Sequence, residues 1–479
     1  MGCGVSSTNN GAPYQPDVAG SGGVANLAAA LDTDESAEEV VAEDISPEKQ
    51  EKLNVVRDVY IFRHLSPLQL SHLVDSFKVK KYQQGQKVIA QNTSGDTFFV
   101  VASGELEVFI DSRLIRQLGK HAYFGERALL FDEPRTATVQ ACSKIVEAWA
   151  IDKVTFLEIV KGQMQQQLMY RIRLQDTSVT MDDLKTIRPI GEGAAGEVDL
   201  VEHKKTKTRY ALKKVKKEDG KLPTEVQREM DLLKMNDHPF VMQLVKTFET
   251  DDLAYMLVEL ITGGELHAAI RTIPTVLSAP QAQFYVGSLA LALEALHSRR
   301  IIYRDLKPEN VMLDNQGYLK IIDFGIAKKL EVDKARTFTM VGTPHYMAPE
   351  VMRGRGYNSG VDHWALGVIL FELTIGYLPF ANDVEGASEV FAAVIKGRLE
   401  FPGWYNDARG NELMRGLMCH DPKKRLGSGP GGFEEVKRCS WFMPKRPGGT
   451  HIFDQLMGRE LEAPVVPKGE VFGIDQTED

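Results

Sequence analysis

Apolar and polar positions change period several times along the chain, and each change marks a different kind of element. From about residue 53 onward Leu65, Leu68, Leu70, Leu73, Val74 and Phe77 recur near every third or fourth position, the stripe of an amphipathic helix. Between about 86 and 151 short apolar runs such as Thr97-Phe98-Phe99-Val100-Val101 are punctuated by the turn signals Gln84-Gly85, Ser94-Gly95 and Ser103-Gly104, which predicts a small β-roll or barrel. A helical stripe returns through Phe156, Ile159, Val160, Met164, Leu168 and Ile172 and ends at the polar joint Gln175-Asp176-Thr177-Ser178. From about 184 to 261 strand patterns surround one helix, and from about 278 long helical stretches dominate, bounded by Pro and Gly: a two-lobed layout. After Trp441-Phe442 the chain turns rich in Pro and Gly, an extended tail rather than another domain, and residues 1 to about 50 have the composition of a disordered tail. Each motif occurs once, so no tandem repeat is evident.

At 479 residues the chain exceeds what one core can fill, since cores stop growing near about 250 to 300 residues. With 43% hydrophobic and 26% charged residues it is globular, and a net charge of -9 argues against a broad nucleic-acid-binding face. The basic run Lys213-Lys214-Val215-Lys216-Lys217 reads as a solvated strand end. Cys3, Cys142, Cys419 and Cys439 lie far apart with no Cys-x-x-Cys pair, as expected of a reducing cytosol. No stretch reaches the ~18 apolar residues of a spanning helix, and no secretory signal is present. Met1-Gly2-Cys3-Gly4-Val5-Ser6 nevertheless fits the pattern for myristoylation of Gly2. One acyl chain anchors weakly, and the acidic run Asp32 to Asp44 repels anionic lipid, so palmitate on Cys3 would be the second signal for a cytoplasmic membrane face.

Gly191-Glu192-Gly193-Ala194-Ala195-Gly196-Glu197-Val198 follows the apolar run Leu184 to Ile190. Alone, this spacing could equally open a dinucleotide fold. Its partners downstream decide the matter. Tyr210-Ala211-Leu212-Lys213 puts a lysine on the third strand, and Glu229, with Glu225 as a rival one turn earlier, lies on the next helix. Tyr303-Arg304-Asp305-Leu306-Lys307-Pro308-Glu309-Asn310, Asp323-Phe324-Gly325 and Ala348-Pro349-Glu350 follow in order.

This series resembles the protein kinase family over residues 184 to 442. The resemblance implies ATP contacts from Gly191, Gly193, Gly196, Val198, Lys213, Glu229, Glu259, Ile261 and Glu265, with Asp305 deprotonating the acceptor hydroxyl. Lys307 would steady the γ-phosphate, and Asn310 and Asp323 would hold Mg²⁺. Tyr303-Arg304-Asp305 with Gly342-Thr343-Pro344 is similar to the cyclic-nucleotide-dependent branch, which phosphorylates Ser or Thr. That branch carries an activation-segment phosphothreonine; Thr339 matches it, its phosphate pairing with Arg304 and Lys328. Glu265 and Glu309 match positions that receive basic residues before the acceptor, so substrates should be basic, and Ile326 favours Thr as acceptor.

Phe124-Gly125-Glu126-Arg127-Ala128-Leu129-Leu130, then Glu133-Pro134-Arg135-Thr136-Ala137-Thr138-Val139, resembles the phosphate-binding cassette of cyclic-nucleotide-binding domains, over about residues 54 to 174. Arg135 would fork onto the phosphate, Glu126 would take the 2'-hydroxyl, and N–H groups near Gly125, Ala128 and Leu129 would add donors. Thr136 favours cGMP, because a hydroxyl beside the arginine can bridge the guanine 2-amino group to the phosphate. The two domains together resemble cGMP-dependent protein kinases of unicellular eukaryotes. The expected fold is multidomain α+β: a cyclic-nucleotide-binding β-roll with flanking helices, then a bilobal kinase. The boundaries read as a tail at 1–52, the roll at 53–174, a linker at 175–183, the kinase at 184–442 and a C-terminal tail at 443–479. A cAMP-activated kinase and a ligand-gated scaffold without transferase activity stand as alternatives. Such kinases usually carry two or more nucleotide sites where this chain shows one. No Arg-Arg-x-x pseudosubstrate precedes residue 59, so inhibition would come from the roll or its last helix.

Overall fold

The computed structural model describes residues 46–471 apart from 60–61, 63–64, 66, 126–128, 131–133, 175–178, 194–195, 237, 332–335, 385 and 445–449. The described residues from Glu48 onward cluster into one compact unit. Its first part opens with α1 (Pro47–Asp58) and α2 (Pro67–Asp75), followed by strands β1 (Lys78–Gln83), β2 (Lys87–Ile89), β3 (Thr97–Ser103), β4 (Leu106–Ile110), β5 (Arg113–Leu118), β6 (Tyr123–Phe124), β7 (Thr138–Ala141) and β8 (Ile145–Asp152). They form two antiparallel sheets, ordered β1-β8-β3-β6 and β2-β7-β4-β5. Successive side chains of a strand point to opposite faces, and β3 shows why its sequence is apolar throughout. Phe99 and Val101 fill the roll with Leu106, Phe124 and Val139. Phe98 and Val100 face the other way, packing with Trp149 and Ile151 of β8 against helical residues Val56, Leu73 and Phe156. Helix α1 begins at Pro47, ahead of the boundary expected at 53, and its Leu53 and Val56 belong to that second core.

The helical stripe beginning at Phe156 is two helices, not one. Asp152 caps α3 (Lys153–Ile159) by accepting from the Thr155 N–H at 2.9 Å, and Val160 leaves the helix in an extended conformation. Gly162, at φ +60, then starts α4 (Gly162–Leu174), a conformation that favours glycine.

The second part begins with a five-stranded antiparallel sheet of β9 (Leu184–Gly193), β10 (Gly196–His203), β11 (Arg209–Lys216), β12 (Leu244–Glu249) and β13 (Leu253–Glu259), in the order β12-β13-β11-β10-β9. Helix α5 (Thr224–Lys234) packs on one face, where Ala211 and Val215 meet Met230 and Leu233. Tyr210, Leu212 and Leu257 point to the other face, which Leu174 and Val179 cover.

The larger lobe is built on α6 (Leu266–Ile270), α7 (Ala279–Ser298), β14 (Ile301–Ile302), β15 (Val311–Leu313), β16 (Leu319–Ile321), β17 (Lys328–Lys329), α8 (Pro349–Met352), α9 (Gly360–Ile375), α10 (Ala387–Lys396), α11 (Ala408–Leu417) and α12 (Phe433–Lys437). Helix α9 is apolar nearly all round and lies inside the lobe, as that composition requires. The tail departs from a wholly extended course. A short helix, α13 (Ile452–Met457), seats Phe453 and Leu456 against Gly287 of α7. The chain then passes Gly317, where a Cβ would lie 2.1 Å from the Val465 carbonyl, and reaches the small lobe. There the Val471 N–H donates to the Thr262 carbonyl at 2.8 Å, and Arg209 pairs with Glu470 at 2.6 Å.

Glu350 and Arg425 tie the end of the activation segment to the large lobe through a buried two-pronged pair at 2.6 and 2.9 Å, with the Arg425 side chain wholly shielded. Removing one partner leaves the other charge stranded. Glu350→Gln should lower the stability of the kinase transition in chemical denaturation by ~3–5 kcal/mol, with the double variant Glu350→Leu/Arg425→Met recovering much of the loss.

Candidate active site and nucleotide site

Strand geometry brings the small-lobe residues together. Lys213 shares a face of β11 with Ala211 and Val215, so it points toward α5, where Glu229 accepts two hydrogen bonds from its Nζ at 2.8 and 3.0 Å. Glu229 is 2% exposed while Glu225 is exposed, which resolves the choice between them. Across the ladder Lys213 faces Val198, Val198 faces Gly191, and Gly196 faces Gly193. Gly196 sits at φ +132, and a Cβ there would lie 1.8 Å from the Lys214 carbonyl, so that position must be glycine.

In the large lobe Asp305 is held from both sides. Its Oδ1 accepts from the Thr343 hydroxyl at 2.8 Å and the Thr343 N–H at 3.1 Å, and its Oδ2 accepts from the Asn310 amide at 2.8 Å. Lys307 Nζ lies 3.3 Å from Oδ2 and donates to the Thr343 hydroxyl at 3.0 Å. Asp323, at φ +52, is exposed, and one of its oxygens accepts the Gly325 N–H at 2.9 Å. Phe324 behind it is buried against Tyr303. Because the Asn310 nitrogen is committed to Asp305, its amide oxygen remains as an acceptor. Together with the Asp323 carboxylate it makes an all-oxygen donor set of the kind Mg²⁺ prefers.

Other residues complete the site without having been legible in the motifs. Asp362, buried on α9, accepts the Tyr303 and Arg304 N–H groups at 2.9 Å each and faces His297 Nε2 at 2.7 Å. Its one signal in the sequence is an acid inside an apolar helix. Glu372 accepts the Tyr346 hydroxyl at 2.7 Å, and burial, aided by the charge of Glu309, pushes its carboxyl above the usual range. Glu265 stands at the start of α6 and Ile261 is buried in the segment joining the lobes. The Glu259 side chain turns into the protein: its Oε1 accepts from Lys320 Nζ at 2.9 Å and the Gln243 N–H at 2.7 Å, and its own N–H donates to the Gln243 carbonyl at 3.0 Å.

Thr339 is exposed, and its carbonyl accepts the Tyr357 hydroxyl, which in turn accepts from Arg304 at 3.2 Å. Lys328, the other cation expected to meet a Thr339 phosphate, donates to the Thr337 hydroxyl at 3.0 Å in the unphosphorylated chain. Gly2 and Cys3 lie outside the described residues.

In the roll, Arg135 is buried, with Nη2 donating to the Thr97 carbonyl at 2.7 Å. It lies in a slot between two glycines. A Cβ on Gly95 would come within 2.4 Å of its Nε, and one on Gly125, at φ +83, within 2.7 Å of its Nη1. Gly95 was visible in the sequence as a turn and not as a site residue. Thr136 is exposed beside the arginine, whereas the Leu129 side chain is buried in the helix-facing core, leaving its main chain for a ligand. Glu126 and Ala128 lie outside the described residues.

Residues 184–442 match the protein kinase domain model, just over half the chain, and residues 79–163 match the cyclic nucleotide-binding domain model. The chain belongs to the protein kinase family. It is similar to the cGMP-dependent protein kinase of Toxoplasma gondii, 45% identical over 88% of this chain and 42% of that protein. The cGMP-dependent protein kinase of Plasmodium berghei is 44% identical over 90% of this chain and 50% of its own length. For cGMP-dependent protein kinase egl-4 of Caenorhabditis elegans the values are 33%, 91% and 59%. The chain thus spans about half the length of these relatives.

Gly95→Ala would drive the Arg135 guanidinium from its slot. Calorimetric titration should show cyclic-nucleotide affinity falling by about tenfold or more, as loss of a charged hydrogen-bond set implies, while the thermal midpoint of the kinase transition stays unchanged.

Proposed function

We propose that the chain transfers the ATP γ-phosphate to Ser or Thr in basic sequences and that cGMP bound to the roll relieves its inhibition. The observation that carries the catalytic reading is the double anchoring of Asp305 by Thr343 and Asn310, with Lys213 and Glu229 already paired. Lys213 would neutralise the α- and β-phosphates under the strands that carry Gly191, Gly193, Gly196 and Val198. The segment containing Glu259, Ile261 and Glu265 would seat the adenosine. Asp305 would accept the proton of the acceptor hydroxyl as its oxygen bonds to the γ-phosphorus. The bond from phosphorus to the β-phosphate oxygen then breaks and ADP leaves, with Lys307 opposing the charge on the transferring group. Asn310 and Asp323 would hold Mg²⁺, which would supply charge neutralisation on the phosphates. Relatives named for cGMP and the hydroxyl of Thr136 next to Arg135 support cGMP as the regulator. Thr339 is the proposed activating phosphosite, and acylation of Gly2 and Cys3 rests on the Met1–Ser6 pattern.

Phosphorylation of an Arg-containing peptide by the purified chain, titrated in parallel with cGMP and cAMP, tests this reading. Half-activation is expected at lower cGMP, and Thr136→Ala should narrow the preference by up to about tenfold, the worth of one hydrogen bond. Activation at lower cAMP would reverse the assignment, and nucleotide binding without phosphate transfer would mark a scaffold.

Glu265 and Glu309 are proposed to receive the basic side chains, joined by Glu372, which feels the charge of Glu309 and must be ionised for that role. Because burial raises its pKa, the KM for the basic peptide should climb as pH falls toward that raised value, and Glu372→Gln should flatten this dependence while raising KM about tenfold.

A further inference from the structure

Helix α4 ends in a place that nucleotide binding alone does not require. The Tyr170 hydroxyl donates to the carbonyl of Leu260 at 3.3 Å, between Glu259 and Ile261 in the segment that joins the two kinase lobes. Arg171, fully buried, donates to the His238 carbonyl at 3.4 Å, and the next carbonyl, Pro239, accepts from Lys320 Nζ at 2.9 Å. Lys320 in turn holds Glu259. Two residues of the regulatory helix thus reach the same turn and the same interlobe strand end as the buried Glu259–Lys320 pair.

The surrounding contacts make this junction rigid. Gln316, on the turn between β15 and β16, donates to Gln166 of α4 at 3.1 Å and accepts from Arg459 of the tail at 2.6 Å, and Arg459 also pairs with Asp314 at 2.7 Å. Leu174 and Val179 then cover the back of the sheet whose front carries Lys213. Three buried cations, Arg171, Lys320 and Arg459, share the junction with two acids, Glu259 and Asp314. Burial, with the nearby Arg171 and Arg459, lowers the Lys320 pKa against the pull of Glu259. Withdrawing Arg171 changes this charge balance directly behind the ATP-facing segment.

We infer that Tyr170 and Arg171 are positioning residues for ATP: the last helix of the nucleotide-binding domain is a strut of the interlobe segment, so its displacement changes ATP affinity. This rests on the kinase reading above. Coupling of this type is reciprocal, since ATP must alter cyclic-nucleotide affinity by the factor that the cyclic nucleotide alters ATP affinity.

The test uses the full chain with Tyr170→Phe, which removes one hydroxyl, and with Arg171→Met and Arg171→Lys. At saturating cGMP and peptide, Tyr170→Phe and Arg171→Met should raise the KM for ATP about three- to tenfold, the range for one hydrogen bond. The kcat should stay within about twofold, and Arg171→Lys should recover part of the loss. In parallel, the dissociation constant of cGMP is measured with and without the non-hydrolysable analogue AMP-PNP. A shift in the unaltered chain that vanishes in Tyr170→Phe supports the inference. An unchanged ATP KM, or a fall in kcat and thermal midpoint together with KM constant, would reduce the contact to packing and overturn it. If the unaltered chain transfers no phosphate, the kinase reading fails, and the AMP-PNP and cGMP binding arm still decides the strut.

Discussion

One buried carboxylate organises the catalytic segment. Arg304 occupies the left-handed region at φ +72, a conformation that a long side chain rarely adopts, immediately before Asp305. Asp362 accepts the N–H groups on both sides of the Tyr303–Arg304 peptide and is itself backed by His297. The strained turn is therefore stabilised by two charge-assisted hydrogen bonds in a shielded site, where they are stronger than in water. With the turn held, Asp305 meets Thr343 and Asn310, and Arg304 is free to bridge to the Ile326 carbonyl at 2.6 Å and to Tyr357. The Asp305 loop, the Asp323-Phe324-Gly325 segment and the Thr343 segment thereby share one reference point.

The remaining buried charges follow the same logic of pairing across elements distant in sequence. Lys213–Glu229, Lys320–Glu259, Arg425–Glu350 and Arg459–Asp314 each join pieces that the chain order keeps apart. An unpaired member would be costly in the interior, so each pair selects one docking of its two elements against alternatives. The tail acts in this way twice, through Arg459 on the β15–β16 turn and through Glu470 on Arg209, and so spans both lobes.

In the roll the comparable device is steric. Arg135 lies buried where two glycines leave room for it, and its guanidinium donates to the main-chain carbonyl of Thr97. Leu129 of the same cassette is buried in the core formed with the helices, so a ligand that moves the cassette also bears on α3 and α4. Helix α4 then meets the interlobe segment of the kinase, a continuous packed path between the two ligand positions.

Motif order alone made the kinase fold and its central residues legible, because phosphate transfer demands a glycine loop, a cation, a base and metal carboxylates that local sequence can display. The roll was equally legible from short apolar runs between turns. What local sequence could not display were residues whose meaning depends on a partner far along the chain. Asp362, Glu372 and Arg425 look like isolated polar residues until α9 and the loops fold around them. Nothing in the local sequence announced the pairing of Glu259 with Lys320, and the stripe after Phe156 concealed the break at Gly162. The sequence by itself thus determined the elements and the chemistry each could carry. Tertiary structure decided which charges are paired, which glycine makes room for Arg135, and where α4 comes to rest, because burial and distance between remote segments are properties of the packed chain.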